Sequence, residues 1–207
     1  MRSAVAAVLF ASVCVLGAAR PAHAQAAELR GRVSLGVPGV PLAAVAPIVV
    51  YLEPIDGARA AAGGAPRMAR MRQHDAHFSP PFLVVAAGTS VEMANDDAIY
   101  HNVFSYSHPN DFDLGLYPAG ETRTLVLKHT GVVKLYCSIH ESMNATILVA
   151  PSPWFDVVDA KGGYAMTGVR PGRYRAVVWA ERLPATTRVI EVGARSRALD
   201  WVIGTPE

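Results

Sequence analysis

Short runs of apolar residues, some alternating with polar ones, recur along the chain, and glycine or proline separates most of them. Clear examples lie at 47–52, 83–85, 124–127, 146–149 and 174–179. Long stretches with apolar residues at helical spacing are absent. Short apolar runs bounded by turn residues are typical of strands, so the pattern predicts an all-β protein.

Turn residues also divide the chain into three predicted zones. Residues 28–58 hold one or two strands, residues 66–150 form a compact β unit, and residues 151–207 form a second unit after a Pro-Ser-Pro sequence. Between the first two zones, residues 58–65 are rich in alanine and glycine, which is typical of a flexible linker.

The first 24 residues have the pattern of a secretory signal peptide. Arg2 precedes an apolar run at 4–19, and an A-x-A sequence ends at Ala24. This run is short for a membrane-spanning helix. We therefore expect cleavage after Ala24, a periplasmic or secreted protein, and no stable membrane insertion after cleavage. The alternative is an N-terminal membrane anchor.

The charge balance excludes one class of partner. The chain carries 19 Lys+Arg and 17 Asp+Glu, and the predicted signal peptide removes Arg2 and Arg20 but no acid. The remainder is formally neutral, so we expect no nucleic-acid partner. Six acids and no base lie at 92–121, whereas 161–197 holds eight bases and two acids. The acidic stretch either steers a basic partner or is ordinary solvated surface.

The number of cysteines limits the roles that a cysteine can have in the mature chain. Cys14 lies in the predicted signal peptide, so Cys137 is the one cysteine of the mature chain. It has no cysteine for an internal disulfide, although disulfides are common in exported proteins. A lone cysteine in such a protein is a free thiol, an intermolecular bridge or a metal ligand.

Other potential ligands lie close to that cysteine. Cys137, His140 and Met143 follow one another at C-x2-H-x2-M spacing between two predicted strands, and His101 lies upstream after a polar Asn-Asp-Asp loop. Each residue alone has a structural alternative, as a small core residue, a surface imidazole or core filling. Together, two imidazoles, a thiolate and a thioether are the ligand set of a type 1 copper site.

The same motifs carry a family resemblance. Residues 95–97 followed by 101–103 are similar to a first copper-ligand loop, and residues 135–138 with His140 are similar to the ligand strand and loop of plastocyanin. The short gap from His140 to Met143 is similar to that of amicyanin. Residues 66–150 thus resemble the cupredoxins.

The resemblance implies a Greek-key β-sandwich that binds one type 1 copper ion per chain through His101, Cys137, His140 and Met143. It also implies a hydrogen bond from Asn102 to the cysteine loop near Ser138, which restrains the thiolate. Residues 112–115 further resemble cupredoxins labelled methylamine utilisation proteins, without indicating an amine substrate. Unlike amicyanin, the chain has Ile139 and Glu141 beside His140, which makes a purely apolar docking surface doubtful.

The flanking zones resemble a different module. Residues 156–179 are similar to the carboxypeptidase regulatory-like β-sandwich, a transthyretin-like module, and residues 28–58 are similar to its first strands. We predict that 28–58 and 151–207 pair into a second, smaller sandwich with the copper unit inserted between them.

The resemblance implies an exported one-electron carrier rather than an enzyme, with a redox protein such as a cytochrome c or a dehydrogenase as its partner. Copper storage or delivery would use the same ligands, and a structural β protein would bind no copper. A multicopper oxidase or nitrite reductase is disfavoured because the chain has no His-x-His pair. His74 and His77 suggest a second metal site, but surface positions are the favoured interpretation, and Met68 and Met71 are expected in a partly buried strand.

Overall fold

The computed structural model describes residues 27–55, 68–195 and 197–204, which form strands and one short 3-10 turn. The all-β prediction is confirmed. The predicted signal peptide at 1–24 and the linker at 58–65 lie outside the described residues. In the part of the chain that is described, no helix is long or apolar enough to cross a membrane.

Seventeen strands are found in these residues, and the 3-10 turn (Leu42–Val45) lies between the first two. In chain order they are β1 (Ala27–Leu35), β2 (Ile48–Pro54), β3 (Met68–His74), β4 (His77–Ser79), β5 (Phe82–Ala86), β6 (Thr89–Asn95), β7 (His101–Ser105), β8 (Phe112–Tyr117), β9 (Thr122–Leu127), β10 (Gly131–Tyr136), β11 (Asn144–Ala150), β12 (Phe155–Val157), β13 (Gly163–Val169), β14 (Gly172–Ala180), β15 (Leu183–Val192), β16 (Arg197–Ala198) and β17 (Trp201–Ile203).

Residues 68–150 form the inner sandwich, in which two sheets enclose one apolar core. One sheet has the order β5-β11-β10-β7-β8 and the other the order β4-β3-β6-β9. Strand β6 shows why the sequence folds this way, because every second residue, including Val91 and Met93, is buried. Strand β11 is buried from Ala145 onward and lies between β5 and β10.

Residues 27–55 and 151–204 form the outer sandwich, with its own apolar core. Strand β1 pairs with β13, β16 and β17, and β2 pairs with β12 and β14. The two flanking segments therefore share both outer sheets. Gly31 permits one close approach, since a Cβ atom there would lie 2.0 Å from the carbonyl oxygen of Leu199.

The two sandwiches touch at one side of the ligand-bearing sheet. The ring of Phe82 in β5 stacks on Trp179 in β14, with centroids 5.7 Å apart. Beside this pair, Lys134 in β10 forms an ion pair with Glu181 and donates a hydrogen bond to Thr146. The sheet that carries the candidate ligands is thus braced against the outer sandwich.

Candidate metal centre

A short loop at 137–143 brings three of the four predicted ligands to one end of the inner sandwich. It joins β10 to β11, whose last register pair is Tyr136 with Asn144. Within the loop, the amide of Met143 donates a hydrogen bond to the carbonyl of His140 at 3.0 Å. This closed turn curls the chain so that the His140 ring faces Cys137.

His101 reaches the same place from the scaffold. It is the first residue of β7, which lies beside β10 through the pair Phe104 with Tyr136, and its side chain is fully buried. The Nδ1 atoms of His101 and His140 each lie 3.8 Å from Sγ of Cys137. Donor atoms of all three residues fall within 4.8 Å of one another.

These distances suit a metal ion placed between the three atoms. First-row metal bonds of about 2.0 Å to nitrogen and about 2.3 Å to sulfur, opening at about 120°, place nitrogen and sulfur about 3.7 Å apart. Both nitrogen–sulfur distances are 3.8 Å. The donor set therefore fits a trigonal copper site in size as well as in chemistry.

Met143, the fourth predicted ligand, lies in the core next to this group. Its side chain is 1% exposed and belongs to the same apolar cluster as Cys137. Because it ends the ligand loop and is buried, it is the candidate for a weak axial thioether ligand. Its role as a ligand stays a prediction.

Asp97 contacts the ring nitrogen of His101 that does not face Cys137. Its carboxylate lies 2.7 Å from Nε2 of His101 and also accepts hydrogen bonds from the amides of Asp75 (2.6 Å) and Ala76 (2.9 Å). Because an ionised carboxylate only accepts, Nε2 carries the proton and Nδ1 keeps its lone pair for a metal. Burial raises the pKa of Asp97, but hydrogen bonds from Ala76, His101 and Asp75 lower it more, so the net pKa is below the usual value.

The sequence did not single out this contact. In the sequence, Asp97 is one residue of a polar loop and lies four positions before His101. That spacing has meaning only once the loop is known to fold back onto the start of β7.

Asn102 fixes the other side of the site. Its Oδ1 atom accepts hydrogen bonds from the amide of Ser138 at 2.7 Å and from the Ser138 hydroxyl at 2.8 Å. Asn102 is itself buried, so the residue after Cys137 is tied to the strand that carries His101. These two hydrogen bonds therefore fix the start of the cysteine loop relative to the strand that carries His101.

His140 is the member of the group nearest to solvent. It is half-buried, whereas His101 and Cys137 are buried. Next to it in the loop, Ile139 is an exposed apolar residue, and Glu141 adds a carboxylate. The surface over the site is thus mixed apolar and acidic.

The acidic stretch at 92–121 carries less free charge than its composition suggests. Three of its six acids form ion pairs with arginines outside the stretch: Glu92 with Arg70, Asp96 with Arg72, and Glu121 with Arg123. Arg70 and Arg72 lie on the neighbouring strand β3, and Arg123 lies two residues after Glu121, in β9. A role for the stretch in steering a partner stays a prediction.

Comparisons with known proteins find similarity among solved structures only. Neither a protein-family model nor a curated protein matches the chain. Among solved structures, the chain is similar to a purple cupredoxin from Nitrosopumilus maritimus, with 26% identity over 40% of this chain and 99% of that one, and a TM-score of 0.36. It is also similar to the reduced Cu(I) form of an amicyanin mutant, with 20% identity, coverage of 48% and 97%, and a TM-score of 0.38.

A third likeness is to a Cu-containing nitrite reductase from Thermus scotoductus SA-01, with 23% identity over 47% of this chain and a TM-score of 0.38. The chain spans only 25% of that enzyme's chain. All of these TM-scores are below 0.5, so the functional proposal rests on the site itself.

Proposed function

We propose that this chain is an exported copper protein that carries single electrons, with one type 1 copper ion held by His101, Cys137, His140 and Met143. The observation that carries the proposal is the pair of 3.8 Å distances from Sγ of Cys137 to the two imidazole nitrogens. Bound copper would supply a one-electron couple between Cu(I) and Cu(II).

The preorganised ligands favour electron transfer over the alternatives. Asp97 fixes the His101 ring, and Asn102 fixes the loop that begins at Cys137. A site held in one geometry reorganises little when an electron arrives or leaves. A delivery protein needs its ligands to release the ion. The hydrogen bonds that restrain His101 and the cysteine loop oppose such release.

Electrons would enter and leave through His140, because it is the ligand candidate nearest to solvent. Ile139 offers apolar contact beside it, and Glu141 favours a partner with a basic edge. An exported cytochrome c or dehydrogenase would meet these conditions. The export itself rests on the signal peptide proposed at 1–24.

The decisive experiment is a visible spectrum of the mature protein after addition of Cu(II). Charge transfer from a thiolate to copper gives an intense colour, which Cys137→Ser should abolish while the circular dichroism spectrum stays unchanged. A colourless wild type would defeat copper ligation by Cys137. Reversible reduction and oxidation would support the carrier, whereas rapid loss of copper to a chelator would favour delivery.

A further inference from the structure

A second group of metal-ligand types lies outside the copper site, at the tip of the β3–β4 hairpin. Asp75 and Ala76 form the two-residue turn and both have positive φ, at 51° and 54°. Their neighbours His74 and His77 are register partners across the two strands. Side chains paired in this way project from the same face of a hairpin. The turn therefore places both histidines on one face of the hairpin, which the sequence spacing alone did not indicate.

His77 is already arranged as a metal ligand would be. Its Nδ1 atom lies 2.6 Å from the backbone carbonyl oxygen of Asp75. A carbonyl only accepts, so Nδ1 carries the proton and Nε2 keeps a lone pair. Metal-binding histidines commonly donate their other ring proton to a carbonyl or carboxylate in this manner.

His74 lies between two carboxylates. Its Nε2 atom is 3.5 Å from Asp75 Oδ2, and its Nδ1 atom is 4.0 Å from Asp97 Oδ1. Donor atoms of these three residues lie within 4.8 Å of one another. Imidazole and carboxylate together are a common ligand set for zinc and other divalent transition-metal ions.

The tip is open to an ion from solution. The side chains of His74 and Asp75 are 65% and 84% exposed, and both line one surface concavity with His77. Arg72 also lines it, but its guanidinium is paired with Asp96, so its charge is compensated. The remaining charges at the tip are the carboxylates of Asp75 and Asp97, which attract a cation.

We propose that this hairpin tip is a second metal site, which binds a divalent transition-metal ion such as Zn²⁺ through His74 and Asp75, with His77 as an additional ligand and Asp97 at its inner edge. The site has no thiolate and does not depend on the copper proposal. It borders the copper centre, because the carboxylate of Asp97 also contacts His101.

Calorimetric titration of the full mature chain with Zn²⁺ tests the proposal, with His74→Ala, His77→Ala and Asp75→Asn as variants. Asparagine tolerates positive φ, so Asp75→Asn removes the charge while keeping the turn. The matched control is His108→Ala, since His108 is also an exposed histidine beside an aspartate, Asp111. We expect His74→Ala and Asp75→Asn to weaken one binding event by at least about tenfold and the control to leave it unchanged.

Zinc at the Cys137 site would be a separate event that Cys137→Ser removes and the tip variants keep. A Zn²⁺-dependent shift of the His74 and His77 ring resonances in the Cys137→Ser protein gives an independent readout. The proposal is overturned if those resonances do not move, or if His74→Ala and Asp75→Asn bind zinc as the wild type does. Neither result depends on the colour of the copper-loaded protein.

Discussion

The inner and outer sandwiches use buried positions differently. Of the nine buried polar side chains in the described residues, eight lie in the inner sandwich and only Ser152 lies in the outer one. Burying polar groups costs free energy unless they are hydrogen-bonded. His101 and Asn102 meet that condition through Asp97 and Ser138. The inner core gives up apolar packing to position a site, whereas the outer core serves stability.

The largest expected effect is a loss of stability in the outer sandwich alone. Trp201 is 1% exposed, donates a hydrogen bond to Tyr164, and lies under the guanidinium of Arg188. Trp201→Ala should lower the free energy of unfolding by about 3–5 kcal/mol, measured by chemical denaturation. Val202→Ala, at an exposed neighbouring position, should change it by less than about 0.5 kcal/mol. Loss of copper colour in Trp201→Ala while it remains folded would show that the two sandwiches are not functionally separate.

Removal of copper should lower the stability of the inner sandwich and leave that of the outer sandwich unchanged. A ligand at a thousand times its Kd stabilises the folded state by about 4 kcal/mol. All three tryptophans, Trp154, Trp179 and Trp201, lie in the outer sandwich, so their fluorescence reports its unfolding. We expect copper to raise hydrogen-exchange protection in β7 and β10 and to leave the local exchange of β1 unchanged. Equal protection of both sandwiches would contradict this separation.

Two buried asparagines of the inner sandwich allow an effect on copper binding to be distinguished from an effect on stability. Asn102 restrains Ser138, whereas Asn110 exchanges hydrogen bonds with the backbone of His129. Changing either to alanine removes two hydrogen bonds of a buried side chain and should cost about 1–3 kcal/mol. Only Asn102→Ala should weaken copper binding, by about 10–100-fold, in a competition assay with a chelator. Equal copper affinity in both variants would show that Asn102 does not position the cysteine loop for copper binding.

A smaller effect is expected at the contact between the sandwiches. Lys134 and Glu181 form an ion pair in which each side chain is more than one-third exposed. Exposed pairs contribute little, so Glu181→Gln should lower stability by less than about 1 kcal/mol. Double-mutant cycles with Lys134→Met measure the coupling directly. A much larger coupling would mean that the sandwiches depend on each other to fold.

The smallest expected effect is a pH dependence in the outer sandwich. Hydrogen bonds from the amides of Gly163 and Lys161 lower the pKa of Asp159 below its usual value. A carboxyl whose pKa is lower in the folded state stabilises the protein above its unfolded-state pKa, and this contribution is lost as the pH falls. Stability should therefore fall more in the wild type than in Asp159→Asn between about pH 5 and about pH 3. Identical pH profiles would exclude this contribution.

Local sequence features predicted much of this molecule and missed what depends on register. Short apolar runs predicted the strands, and ligand spacing predicted that Cys137 and His140 lie close together. The contact of Asp97 with His101 depends on how the 96–100 loop folds. The pairing of Arg70 with Glu92 depends on the register of β3 with β6, and that of His74 with His77 on the register of β3 with β4. Alternation specifies which face a residue occupies but not which strand lies beside it.

The outer sandwich is assembled from both ends of the described chain, since β1 pairs with β13, β16 and β17. During synthesis, β1 must therefore stay unpaired until more than a hundred later residues have emerged. The inner sandwich is continuous in sequence and needs no such delay. We expect the nascent chain to complete the inner sandwich first, because continuous domains close their contacts as soon as they emerge.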